Sequence, residues 1–151
     1  MHFPTLFDHI EWADQRAVAA LRSLDADGAQ YAESLRLYAH LAGAAHTWSC
    51  RVAGRATEYA VWPTLSLEEA TALTRTSLAG LREAATSGDL TRVVEYRNSA
   101  GQAFYNTVAD MLTQVVLHDS YHRGQLAILA RQGGGTPAVT DYIFYVRSLG
   151  M

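Results

Sequence analysis

The stretch TVADMLTQVVLHDSYHRGQLAILARQ, from Thr107 to Gln132, is the longest apolar-periodic segment of the chain, and its reading decides the fold. Met111, Val115, Leu126 and Leu129 recur at helical spacing, and the run Gly133-Gly134-Gly135 followed by Pro137 ends the pattern. The spacing predicts a helix over 107–132. His118 and His122 are four residues apart, one turn on the same face. At 100° per residue the four apolar positions fall within about 80° of His118, so both imidazoles lie on or beside the core-facing stripe. An apolar interior disfavours protonated imidazole, whereas a neutral ring nitrogen there is a good ligand for a borderline divalent metal such as zinc or nickel.

Working outward, Leu6, Ile10, Ala13, Ala17, Leu21 and Leu24 form a first helical stripe over 3–24. Leu37, Leu41, Ala44, Trp48 and Val52 form a second, with Gly54 as its stop. Tyr59 to Leu65 carries Pro63 and reads as a connection. Ser66 and Glu69 then have the spacing of a capping box opening a third helix that runs to about Ser87. Val93 to Tyr105, interrupted by Asn98 and Gly101, reads as a short extended excursion or small hairpin. After the long helix an aromatic tail, Tyr142 to Val146, is expected to pack back onto the bundle. The sum is an all-α chain, one domain over 1–151: a four-helix bundle with a short extended segment before the last long helix.

Composition narrows the function classes. The 151 residues carry a net charge of −3 and are 49% hydrophobic and 18% charged, which excludes a disordered chain. One cysteine, Cys50, builds no disulfide framework and suits a reducing cytoplasm. All twelve basic residues are arginines scattered from Arg16 to Arg147, so no nucleic-acid footprint is expected. The longest stretch without Asp, Glu, Arg or Lys, Leu37 to Cys50, is too short to cross a membrane. Asp8, Glu11 and Asp14 interrupt the place of a secretory signal.

With six histidines in the chain, chance places about 0.2 pairs at a spacing of four, so the helix-four pair needs a third ligand to carry weight. Helix two offers two. His40 lies about 90° from the centre of its stripe, whereas His46 lies about 150° away, among Ala39, Ala42 and Ala53. Geometry favours His40. Three imidazoles from two helices leave a tetrahedral metal one open position for water or substrate. A di-iron site would need Glu-x-x-His pairs, which are absent, and the zincin pattern would need a glutamate where Asp119 stands. His46 and Cys50, one turn apart, could form a histidine-activated thiol, but their face reads more simply as a close helix contact or subunit interface. Asp119 could orient a ligand but is expected on the helix surface, Arg123 facing solvent or ion-paired, and Gln125 either near the metal or as a surface-edge amide. Gly124 suggests close approach by another backbone. Trp12, Trp48 and Trp62 read as core or pocket-wall residues.

These residues resemble the DinB/YfiT-like superfamily of bacterial helical bundles. Phe7 to Asp14 is similar to its aromatic-x-x-x-x-Trp-Ala-Asn/Asp opening, with Asp14 where asparagine is commoner. Tyr38-Ala39-His40-Leu41 through Trp48 and Arg51 resembles its helix-two segment. Leu117 to Leu126 resembles its His-x-x-x-His-Arg-Gly-Gln signature, and Pro137 to Tyr145 is similar to the end of many members. The resemblance implies metal ligation by His40, His118 and His122, in agreement with the face argument.

It also implies a class of chemistry, since relatives include transferases and isomerases that use small thiols such as bacillithiol or mycothiol with a divalent metal. The expectation is a metal-dependent transferase in which a small-molecule thiol attacks an electrophilic substrate, with no catalytic side chain assigned. A non-catalytic ligand- or partner-binding bundle with a structural or relict metal site, and a metal-dependent hydrolase, are the alternatives. A homodimer is expected from the small-residue face of helix two and the aromatic tail.

Overall fold

The computed structural model describes residues 2–150 of the chain. Its elements run α1 (Phe3–Arg22), α2 (Ala29–Ala53), α3 (Leu67–Ser87), β1 (Val93–Arg97), β2 (Ala103–Thr107), α4 (Val108–Gln132) and α5 (Tyr142–Ser148). The fold is mostly helical, as expected. Among the described residues no helix is long and apolar enough to cross a membrane.

Local chemistry places the ends. Ser66 Oγ accepts from the Glu69 amide at 3.2 Å while Glu69 Oε2 accepts from the Ser66 amide at 2.7 Å, the expected capping box. Thr107 and Asp110 form a second one that opens α4 directly out of β2. Gly54 stops α2 at φ 67°, with its own amide bonded to the Arg51 carbonyl and the Arg55 amide to that of Cys50. This left-handed turn is one that a side chain would strain. Gly134, at φ 75°, serves α4 in the same way.

The extended segment is an antiparallel hairpin, paired from Val93↔Thr107 to Arg97↔Ala103. Asn98 Oδ1 closes its turn by accepting the amides of Ala100 and Gln102, each at 3.0 Å. The tail forms the short helix α5, which the sequence pattern does not announce. It docks on α1 through Tyr145, whereas Tyr142, Ile143 and Phe144 stay exposed.

The four long helices form a ring in which α1 packs on α3 and α4, and α2 packs on the same two. The interior has two apolar halves. One joins Phe7 and Ile10 to Leu78, Leu81, Val108, Met111 and Leu112; the other joins Val18 and Leu21 to Leu37, Tyr38, Leu41, Ala70 and Leu126. Between them every long helix contributes polar groups: Asp14 from α1, His46, Thr47 and Ser49 from α2, Thr74 and Ser77 from α3, and Asp119, His122 and Arg123 from α4. This polar waist positions the candidate site.

One expectation needs correction. Gly124 is exposed and a Cβ there would meet nothing within 4 Å, so no backbone approaches it. Close approach occurs instead at Gly43, where a Cβ would stand 2.7 Å from the Ala60 carbonyl oxygen and 2.8 Å from that of Val61. The small-residue face of α2 is therefore largely spent inside the molecule: Ala39, Ala42 and Gly43 are buried by the chain itself.

Candidate metal centre

α2 supplies His40 and α4 supplies His118 and His122, and their ligand-capable nitrogens all lie within 4.8 Å of one another. His118 Nε2 stands 3.3 Å from His40 Nε2 and 3.1 Å from His122 Nε2. Their other nitrogens decide what faces inward. The Val61 carbonyl, 2.9 Å from His40 Nδ1, can only accept, so His40 Nδ1–H donates to it and Nε2 is left with its lone pair. Gln125 Oε1, 2.6 Å from His122 Nδ1, does the same for the second ring. The arrangement is that of a metal site whose outer hydrogen bonds fix ring orientation and tautomer.

Charge reinforces the geometry. Burial, then His122 and His40, hold His118 down to about 4, and burial likewise lowers His40. The three rings thus converge nitrogen to nitrogen, an arrangement of lone pairs that repels itself unless a proton or a cation lies between them. The donor set, all borderline nitrogen, fits a divalent metal.

The surroundings are built by the α2–α3 connection. Gly43 lets it sit against α2, which brings the Val61 carbonyl to His40 and lays the Trp62 indole flat on the His40 ring, 3.6 Å between centroids and 9° between planes. Trp62 is 49% exposed, so it is a site wall rather than core. Tyr121 meets His122 edge-on from the outside.

Asp119 is not on the surface as expected. It is buried in an ion pair with Arg123, which is equally buried. Burial pushes the Asp119 carboxyl up to about 6 against the pull of Arg123. Asp14, across the waist, is fully enclosed with neither oxygen hydrogen-bonded, and burial, then the neighbouring Asp119, push its carboxyl well above the usual range. Asp14 and His118 line the same small cavity, which also carries the unpartnered Thr74 hydroxyl.

His46 stays apart from the three. Its Nε2 accepts the Glu58 amide at 3.2 Å and lies 3.5 Å from Cys50 Sγ, which is 1% exposed. That is the geometry of a loop anchor beside a buried thiol rather than of an accessible nucleophile.

Gly43 and Val61 were not foreseen as builders of the centre; the only signal for Gly43 was a glycine inside a helical stripe.

A family model described as the DinB family matches residues 1–149. Protein DinB of Bacillus subtilis (strain 168) is 35% identical over 57 residues, 38% of this chain, and the matched stretch spans 33% of that relative's length. No solved structure matches. With the family model covering nearly the whole chain, the chain belongs to the DinB family.

Proposed function

We propose that His40, His118 and His122 hold one divalent cation, zinc or nickel, and that the protein is a transferase that uses it to activate a small thiol for attack on an electrophile. The observation that carries this reading is the convergence of three Nε2 atoms, two of them with their tautomer fixed by an acceptor behind the ring. Three protein ligands leave a fourth position free, and a cation there supplies the positive charge that lowers the pKa of a thiol, or of water, at neutral pH.

The chain's own residues do the rest. Val61 and Gln125 keep the imidazoles aimed, so little reorganisation accompanies binding. Trp62 covers one face of His40, excludes water from it and presents a flat apolar wall to a substrate. Burial keeps His118 and His40 neutral at physiological pH and available as ligands rather than as acids. A reducing cytoplasm, where small thiols stay reduced, is the compartment this reading requires.

Elemental analysis of the purified protein beside a His118→Ala variant tests the ligand set. The expected result is about one metal per chain in the parent and a loss of at least tenfold in affinity in the variant. Equal metal content in the two overturns the assignment. Thiol consumption by the loaded protein against a panel of electrophiles tests the reaction. Metal binding with no turnover for any thiol would support the non-catalytic binding module instead.

A further inference from the structure

A second feature stands next to the histidines and is not used by them. The end of α2, the connection that follows it and the β hairpin enclose a cleft of about 750 Å³. Arg51, Arg55 and Arg97 line it together with Tyr59, Trp62 and Tyr96, and Glu95 is its only carboxylate. Three arginines against one glutamate give the cleft 3 − 1 = +2, in a chain whose net charge is −3.

Arg51 and Arg97 are held in place, and among the described residues none of the three arginines is in an ion pair. Arg51 is held with its guanidinium 4.6 Å from the Trp48 ring centre and 4.3 Å from that of Tyr96, and it donates to the Arg97 carbonyl at 3.3 Å. Arg97 donates to the Gly101 carbonyl at 2.7 Å. Among the described residues the ion pairs go to Arg22, Arg36, Arg82 and Arg123, and none to these three. A guanidinium presents five donors in a planar fork suited to carboxylates, so most of the cleft's donors remain unspent. Three like charges against a single counter-charge cost folding free energy, and a bound oxyanion offsets that cost.

Position ties the cleft to the histidines. Trp62 is a wall of both, stacked on His40 while lining the cleft, and Val61, whose carbonyl holds His40, lines it as well. Along α2, Arg51 follows His40 by eleven residues, about 16 Å of helix at 1.5 Å per residue. A ligand that serves both ends is therefore elongated.

We propose that this cleft binds an organic dianion, an elongated carboxylate-bearing small molecule gripped by Arg51, Arg55 and Arg97, with its body lying along Tyr59 and Trp62 toward His40. The proposal rests on the thiol-transfer reading only for the identity of the reacting end; the anion affinity stands without it. Either the thiol or the electrophile could carry the carboxylates, and both share this chemistry.

The test is calorimetric binding to the metal-stripped full chain, so that it does not depend on the metal. Two probes are used: S-methylglutathione, a dicarboxylate with its sulfur blocked, and terephthalate, an aromatic dicarboxylate. The diethyl ester of N-acetyl-S-methylglutathione, in which neither a carboxylate nor an amine is left, is the uncharged control. The expected result is saturable binding of a dicarboxylate, lost in the ester and about tenfold weaker in Arg55→Gln or Arg97→Gln alone. In the double variant it is weaker by about a hundredfold, with an unchanged melting curve, since both side chains are exposed. Tighter binding of S-methylglutathione assigns the cleft to the thiol, and tighter binding of terephthalate assigns it to the electrophile. Absence of binding by both probes at millimolar concentration, or undiminished binding in the double variant, overturns the proposal. Dianion binding by a chain that takes up no metal would leave the cleft standing and remove the thiol-transfer reading.

Discussion

The two sides of the polar waist handle buried polarity in opposite ways. On the α2–α4 side, His40 and His122 are tied from behind by Val61 and Gln125, and what remains unpaired is a set of nitrogen lone pairs pointing at one another. On the α1–α3 side, the Asp14 carboxylate and the Thr74 hydroxyl are enclosed with no partner. The first arrangement is oriented by its acceptors; the second is unoriented and is relieved by a proton. Asp119 and Arg123 stand between them, adjacent in sequence to the α4 histidines and felt electrostatically by Asp14. Unpaired polar groups therefore mark a site only where other residues aim them.

The largest effect is expected at that joint. Asp119→Ala leaves Arg123 with Asp14 as its remaining carboxylate neighbour, so the full cost appears only when both acids are removed. The double variant Asp119→Ala/Asp14→Asn buries an uncompensated guanidinium and should lose about 3–5 kcal/mol in urea unfolding, more than Asp119→Ala alone. A double variant no less stable than the single one would show that Asp14 is not part of the joint.

Next comes a change confined to the histidine side. Gly43→Ala sets a Cβ against the Ala60 and Val61 carbonyls and the Pro63 ring, each within 2.8 Å. Overpacking against backbone should cost about 3 kcal/mol. It should also push the connection off α2, removing the His40 hydrogen bond and shifting Trp62 fluorescence and metal affinity together. Unchanged Trp62 emission with normal metal binding would separate the connection from the site.

Proton linkage gives the two sides opposite signs. The folded-state pKa of Asp14 lies above its ordinary 3.8, so its contribution to stability is fully present below that value and is lost as pH rises through the raised one. Asp14→Asn, neutral at every pH, should therefore stabilise the protein by about 1–3 kcal/mol at pH 8, with the gain closing toward pH 4. His118 is depressed from 6.5 to about 4, so the chelator-treated protein keeps its contribution above 6.5 and loses it as pH falls through about 4. A divalent cation should move that loss to lower pH, because ligands holding a metal resist protonation. Thermal melts across pH 4–8 with and without cation read both limbs, and limbs of the same sign would end the contrast.

Much of this contrast was legible before the fold, and the illegible part has a common cause. The α4 stripe, the Ser66 capping box and the Gly54 stop rest on local spacing, and each holds; by the same spacing it is His40 and not His46 that stands beside His118 and His122. Asp119 was misplaced because a single apolar stripe was taken to define the buried face. α4 lies between α1 and α2, so a wider arc is interior, and a buried ion pair one turn apart reads in sequence like a surface one. Gly124 and Gly43 exchanged roles because close approach depends on a connection that folds back from residues 60–63, which no local pattern encodes. α5 went unannounced since seven residues hold too few turns to show a period.

Thr74 gives the smallest effect and the finest version of the contrast. Its hydroxyl is buried on the same cavity wall as Asp14 and makes no hydrogen bond of good geometry, with the Tyr38 phenol as its polar neighbour, whereas the buried Thr47 hydroxyl of α2 donates to the Gly43 carbonyl at 2.8 Å. Valine matches threonine in shape and removes only the hydroxyl. At Thr74 that deletes a desolvated, unpaired group, so Thr74→Val should be neutral or stabilising by less than about 1 kcal/mol, while Thr47→Val should cost about 1 kcal/mol for the lost bond. The difference in melting temperature between the two variants isolates pairing from burial, because both residues sit in the waist at similar exposure. A Thr74→Val variant destabilised as much as Thr47→Val would mean that the α1–α3 side is hydrogen-bonded after all, and the asymmetry of the waist would disappear with it.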